Sequence, residues 1–191
     1  MILTGHPALK FDSFFPLYNW IYPLSGSSSA RFVGASAASA LSEIAPSGSR
    51  ALYVHIPFCE TICTFCPFVR TATQEDGLVQ AYVDALVQEI ESKADIGRVA
   101  AAPIGAVFFG GGTPSYLSPQ QILQVGNALR RCFDLSHCRE FSFELEVKSA
   151  SWDRLEALKQ IGVTHARFGA QTFSTRYRSL FNLTATVDRV H

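Results

Sequence analysis

From Ala51 onward, short β-rich runs alternate with helical segments, and this alternation constrains the fold more than any other feature. "ALYVHI" is the first β-rich run. "DGLVQAYVDALVQEIESK" follows, with Leu78, Val79, Tyr82, Val83, Leu86, Val87 and Ile90 on one helical face. "GAVFF" reads as a buried strand. "SPQQILQVGNALRRCF" opens with Ser118 as N-cap, Pro119 in the first helical position and Gln121 three residues after the cap, a capping box. "EFSFELE" is a third strand, and "SWDRLEALKQIG" a third helix that Gly162 stops. "HARFGAQTF" reads as a fourth strand and "STRYRSLF" as the start of a fourth helix. Strands and helices in this rhythm predict βαβ units and a parallel sheet, an α/β fold.

A parallel strand covered on both faces is apolar throughout. These strands are not. Tyr53 and His55 share a face, as do Ser142, Glu144 and Glu146. So do Arg167, Gly169 and Gln171, opposite Ala166, Phe168 and Ala170. Helices are predicted on the Phe and Leu side of Phe141, Phe143 and Leu145. The polar side either meets solvent or lines a polar cavity, as in a curved or barrel-like sheet around a polar ligand.

Residues 1 to 50 differ in composition. "FFPLYNWIYP" is aromatic and Pro-punctuated, and the stretch after it is rich in Ser, Ala and Gly. This reads as an extension with apolar anchors and a loose linker, with a short helix near Ala37–Ile44. Of the 191 residues, 48% are apolar and 17% charged, which suits a folded domain. Sixteen basic and sixteen acidic residues cancel, so nothing in the charge points to nucleic acid or an anionic membrane. The N-terminal stretch lacks signal-peptide features and no apolar run is of bilayer length, so the expected compartment is the cytoplasm.

In that reducing setting, clustered cysteines read as metal or redox groups before disulfides. "HIPFCETICTFCPF" places Cys59, Cys63 and Cys66 in a C-x3-C-x2-C spacing directly after the first strand. Zinc sites favour four ligands and C-x2-C pairs, which this loop fits poorly. Iron–sulfur clusters are held by cysteine thiolates, commonly four. Three would leave one iron of a four-iron cluster open to a substrate or cofactor.

The cysteine spacing, together with "YVHIPFC", "FFGGGTPSYL", "FELE" and "FGAQTF", resembles the radical S-adenosylmethionine (SAM) superfamily, in particular its oxygen-independent coproporphyrinogen III oxidase family. The resemblance runs from about Ala51 to Phe181. It implies a [4Fe-4S] cluster and SAM as cofactors. It implies a 5′-deoxyadenosyl radical made by reductive cleavage of SAM, and a partial (β/α)6 barrel, of which this chain supplies about four βα units. An electron donor such as flavodoxin or ferredoxin, and a tetrapyrrole or other heteroaromatic substrate, are the partners implied. No nucleic acid or membrane partner is.

By the same resemblance, Cys59, Cys63 and Cys66 are the cluster ligands. Tyr53 packs close to SAM at the inward face. Phe65 and Phe68 shield the cluster and wall the adenine site. Gly110, Gly111 and Gly112 let the backbone approach the cofactor, with Thr113 assisting. Glu144 binds SAM and Gln171 reaches the ribose. Arg167 either faces the ligand or forms an ion pair. His55 is expected to be structural, and Cys132 and Cys138 to be small buried residues.

Two positions depart from the family pattern. Phe68 stands where some oxidases carry a further cysteine, and Leu183 stands where an arginine is common. The chain ends at His191, just after the fourth strand, so strands five and six and a C-terminal substrate domain are expected elsewhere. Three readings remain: an oxidase-like enzyme on a tetrapyrrole, a related SAM-dependent methyltransferase on a heteroaromatic product, and a heme chaperone on the same scaffold.

Overall fold

The computed structural model describes residues 50–96 and 102–190. The extension and its Ala37–Ile44 helix lie outside these residues, except that Arg50 opens the first strand. The strands are β1 (Arg50–Ile56), β2 (Phe58–Cys59), β3 (Thr71–Ala72), β4 (Ile104–Gly111), β5 (Glu140–Leu145) and β6 (His165–Phe168). The helices are α1 (Asp76–Ala94), α2 (Pro119–Cys132), α3 (Trp152–Gln160), α4 (Thr175–Leu180) and α5 (Val187–Val190). The main sheet has the order β1-β4-β5-β6, and every neighbouring pair is parallel. A second, two-stranded parallel sheet joins β2 to β3.

The sheet has one dry face. Val54 and Ile56 of β1, Val107 and Phe109 of β4, and Phe141, Phe143 and Leu145 of β5 are buried together. Phe109 stacks on Phe141 and Phe143, with ring centroids 5.8 and 5.0 Å apart. Full burial of each such side chain contributes about 1.5–3 kcal/mol. Against this face lie Val79, Val83 and Ile90 of α1 and Ile122, Val125 and Leu129 of α2. Leu78, expected on the buried face of α1, is exposed, whereas its neighbour Val79 is buried: the inward face is carried by Val79, Val83 and Ile90.

Local signals hold α2 in place. Ser118 Oγ accepts the Gln121 N–H at 3.2 Å, and the Gln121 side chain accepts the Ser118 N–H at 2.9 Å. α1 packs on α2 and α2 on α3. The second contact requires Gly126: a Cβ there would lie 2.4 Å from Ile161 Cγ2 and 2.6 Å from Ile161 Cβ.

Three expectations need correction. β4 does not stop at Phe109 but runs through Gly110 to Gly111, where φ of +119° ends it. β6 stops at Phe168, so Gln171 lies past the strand, with φ of +64°, and strand alternation does not set its direction. Ala166 and Phe168 do not join the dry face: all four residues of β6, at the edge of the sheet, are exposed, and the buried core draws on β1, β4 and β5 without them. No helix among the described residues is long and apolar enough to cross a membrane.

Replacing Gly126 with Ala forces a methyl group onto the fully buried Ile161, which has no free space to retreat into. The expected cost is about 1–3 kcal/mol, read as a lower denaturation midpoint with native-like circular dichroism.

Candidate active site

The site begins where β1 and β4 outlast their own pairing. Beyond the strand, Gly112 N–H donates to Ile56 O at 2.8 Å and Thr113 N–H to Phe58 O at 2.8 Å. Thr71 N–H donates to Pro57 O at 2.7 Å, which seats β3 against β2. Backbone therefore lies directly on backbone. A Cβ on Gly112 would meet Cys59 Sγ at 2.8 Å and Phe58 O at 2.9 Å, and one on Gly111 would meet His55 Cε1 at 2.8 Å. Only glycine fits there, so the residue pattern GGGT is a packing requirement as much as a turn. The Thr113 hydroxyl points back to Cys59 Sγ at 3.5 Å.

The loop carrying Cys63 and Cys66 is held from the far end of the chain. Thr64 N–H donates to Phe181 O, the Thr64 hydroxyl to Leu180 O at 3.1 Å, and Asn182 Nδ2 to Ile62 O at 2.8 Å. Phe65 packs edge-on against Phe181 at 5.2 Å. Asn182 has φ of +57°, a conformation that asparagine tolerates better than most residues. His55 pins the other side of the loop. Val69 O can only accept, so His55 Nε2 carries the proton at 2.9 Å, and Nδ1 then accepts from the Tyr53 hydroxyl at 3.1 Å. Tyr82 donates to His55 O at 2.6 Å.

These elements enclose a cavity of ≈ 290 Å3. Cys59, Cys63, Cys66, Phe65 and Phe68 form one wall. Gly111, Gly112, Thr113, Glu144, Arg167 and Gln171 form the others. Residues far apart in sequence are thus brought to one place. Tyr53 and Gly110 are not in the lining. The Tyr53 ring is exposed outside it, stacked on Phe108 at 6.1 Å and close to Gly110, with its hydroxyl held on the His55 ring. Arg167 does not pair with Glu144, its neighbour in strand register. It donates to Glu140 Oε1 at 2.6 Å and Ser142 Oγ at 2.9 Å, and lies over the Phe108 ring. Gln171 enters the cavity through its left-handed backbone, with its amide folded over Gly169. Cys132 and Cys138 lie away from this cavity.

The wall is electrostatically costly. Burial holds the Glu144 carboxyl above the usual carboxylate range, although the Gly111 N–H donates to it. Burial likewise raises Glu146, against the pull of Lys148, which bridges Glu60 at 2.9 Å and Glu146 at 3.8 Å. Burial also pushes the Cys59 and Cys63 thiols up, and the charge of Arg70 opposes this at both. Thiols that bind metal must lose their protons, so such a site needs positive charge to be used.

Sequence reasoning missed three residues. Arg178 is 5% exposed and donates to the backbone carbonyls of Ala185, Ala170 and Thr172 at 2.7–2.8 Å, which fixes the segment around Gln171. Nothing in "STRYRSLF" distinguishes it from the neighbouring Arg176. Arg70 and Lys148 also flank the cavity and carry no motif signal.

The donor set suits an iron–sulfur cluster. All three cysteines are free thiols, and thiolate is the ligand type that such clusters use. Among the described residues no three His, Cys, Asp or Glu side chains converge on one ion-sized point. The thiolates of a cluster each take a different iron, so convergence is not demanded of them. An arginine nitrogen, Arg70 Nε, is buried without a hydrogen-bond partner in the same wall.

Comparison with known proteins agrees with this donor set. The Radical SAM superfamily matches residues 53–191. The chain is 38% identical to an anaerobilin synthase of Escherichia coli O157:H7 over 138 residues, 72% of this chain and 31% of that protein. It is 34% identical to an oxygen-independent coproporphyrinogen III oxidase of Escherichia coli K12, over 72% of this chain and 30% of that one. The solved coproporphyrinogen III oxidase from Escherichia coli, a radical SAM enzyme, superposes with a TM-score of 0.72 at 30% identity, covering 79% of this chain and 34% of that one. The chain thus spans about a third of the length of these relatives. Its parallel sheet is part of the radical SAM barrel fold, and the family's cofactors are a [4Fe-4S] cluster and S-adenosylmethionine. Similar in sequence and fold to enzymes of the coproporphyrinogen III oxidase type, the chain belongs to the radical SAM superfamily.

Proposed function

We propose that this chain forms the cofactor-binding part of a radical SAM oxidoreductase that acts on a porphyrin-related substrate. The carrying observation is the convergence of Cys59, Cys63 and Cys66 with the Gly111–Gly112–Thr113 backbone and Glu144 on one cavity. When bound, the cluster supplies the electron that splits SAM into methionine and a 5′-deoxyadenosyl radical. Cys59, Cys63 and Cys66 are the cluster ligands in this reading. The Gly111–Gly112 backbone and the Thr113 hydroxyl receive the methionine end of SAM, and Glu144 takes a hydrogen-bond donor of that ligand. Gln171, held by the Arg178 clasp, reaches the ribose. Arg167 is already neutralised by Glu140 and so positions the polar face rather than binding a substrate carboxylate. Tyr53 orients His55, which in turn holds the cysteine loop at Val69 O.

The cavity volume sits at the low end for ligand sites. It accommodates a small cofactor and leaves a macrocycle at the mouth. Phe65 (42% exposed), Phe68 (44%) and Phe168 (48%) flank that mouth and offer apolar contact. The names of the relatives, an anaerobilin synthase and coproporphyrinogen III oxidases, point to tetrapyrroles. An electron donor of flavodoxin or ferredoxin type serves the cluster in this reading.

Anaerobic reconstitution with iron and sulfide is expected to give a brown protein whose electron paramagnetic resonance spectrum changes when SAM is added. Cys63→Ala is expected to lose that cluster while keeping the far-ultraviolet circular dichroism of the parent. A colourless protein with stoichiometric zinc, or a cluster spectrum indifferent to SAM, would overturn the reading.

Glu144 gives a second test, through stability. Its raised folded-state pKa means that the folded chain holds this proton more tightly than the unfolded chain does. Ionised Glu144 therefore costs stability at neutral pH, and the cost disappears as pH falls below about 4, where the carboxyl is protonated in both states. Gln can still accept the Gly111 N–H without carrying charge. Glu144→Gln is expected to raise Tm at pH 7, to match the parent at low pH, and to weaken SAM binding. Thermal melts across pH and equilibrium dialysis with SAM measure the two effects.

A further inference from the structure

Among the described residues, Arg70 Nε is a buried side-chain donor with no acceptor. Leaving a buried donor unpaired is costly, and more so when the group is charged. The rest of the guanidinium is anchored: Nη1 donates to Phe68 O at 2.9 Å. The other cations around this cavity are satisfied, Arg178 on three backbone carbonyls and the rest on carboxylates. Lys148 holds Glu60 and Glu146, and Arg167 holds Glu140, which leaves Arg70 out of the ion pairs of this site. Arg70 shares the cavity wall with Cys59, Cys63 and Cys66. A neutral thiol is a weak acceptor, whereas a thiolate is an ionised one and takes a much stronger bond. The missing acceptor is therefore a group that exists only once the cysteines are ligands.

Resting on the cluster assignment above, we infer that Arg70 is a positioning residue for the iron–sulfur cluster, its Nε–H donating to a cysteinate sulfur in the shared wall and its cation easing reduction of the cluster. Hydrogen bonds to cluster sulfurs and nearby net charge are two of the levers that set such potentials. Reduction adds negative charge next to the guanidinium, so both effects favour the reduced form.

The test is a redox titration of the reconstituted full chain, followed by electron paramagnetic resonance, for the parent, Arg70→Gln and Arg70→Lys. It is run without SAM, so that a contact from Arg70 to that ligand cannot produce the result. Arg70→Gln is expected to lower the equilibrium constant for cluster reduction at least tenfold, a shift of about 59 mV to more negative potential for a one-electron couple. Arg70→Lys is expected to fall between Gln and the parent, because it keeps the charge but not the planar donor. An Arg70→Gln protein with full iron content and an unchanged potential would overturn the inference and leave Arg70 as a loop anchor. If Arg70→Gln holds no iron, Arg70→Lys decides by the same criterion. A parent chain that takes up no cluster would overturn the ligand assignment as well, whereas an insensitive potential in a parent that does would overturn this inference alone.

Discussion

The arrangement rests on backbone contact between the ends of β1 and β4. Two N–H groups, from Gly112 and Thr113, reach past the strands to carbonyls on either side of Pro57. They can do so only because Gly112 has no side chain where Cys59 Sγ and Phe58 O already lie. That contact fixes the first cysteine, and through β2 and β3 the start of the loop with the other two. It also leaves glycine backbone facing the cavity, next to the thiols. One geometric constraint thereby produces two chemical surfaces, one for metal and one for a polar ligand.

The sheet divides its labour between its faces. The apolar face of β1, β4 and β5 stabilises the fold by burying aromatic and branched side chains under α1 and α2. The polar face does the reverse. Glu144, Glu146 and the thiols of Cys59 and Cys63 are all held with raised proton affinity by burial. Local costs of this kind concentrate at functional sites and are offset elsewhere in the fold. Here the compensation is near at hand: Lys148 for Glu146, the Gly111 N–H for Glu144, and Arg70 for the thiols.

Much of this was legible in the sequence, for identifiable reasons. The 2.0 and 3.6 periods placed β1, β5, α1, α2 and α3 within a few residues, because each has one dry face that the pattern must record. The capping box at Ser118 named its helix start correctly, since that signal is local. Alternation also put Glu144 on the cavity side. It named Gln171 for the cavity too, but by a route the structure does not use: β6 ends at Phe168, and a left-handed backbone carries Gln171 there. The partner of Arg167 was not legible either: register offers Glu144, but the longer reach to Glu140, shared with Ser142, prevails. Arg178 was invisible because its partners are backbone carbonyls, which leave no trace in residue identity.

The clasp between the cysteine loop and the end of α4 has a kinetic consequence. Thr64 and Leu180 are 116 positions apart, and Ile62 and Asn182 are 120 apart. Contacts of such long range close late, after nearer pairings have already restricted the chain. The loop with the thiols thus gains its anchor only from residues more than a hundred positions further along the chain. The frame of the cysteine loop is therefore completed from outside it: a chain cut before Leu180 keeps Cys59, Cys63 and Cys66 but loses the contacts that hold Ile62 and Thr64.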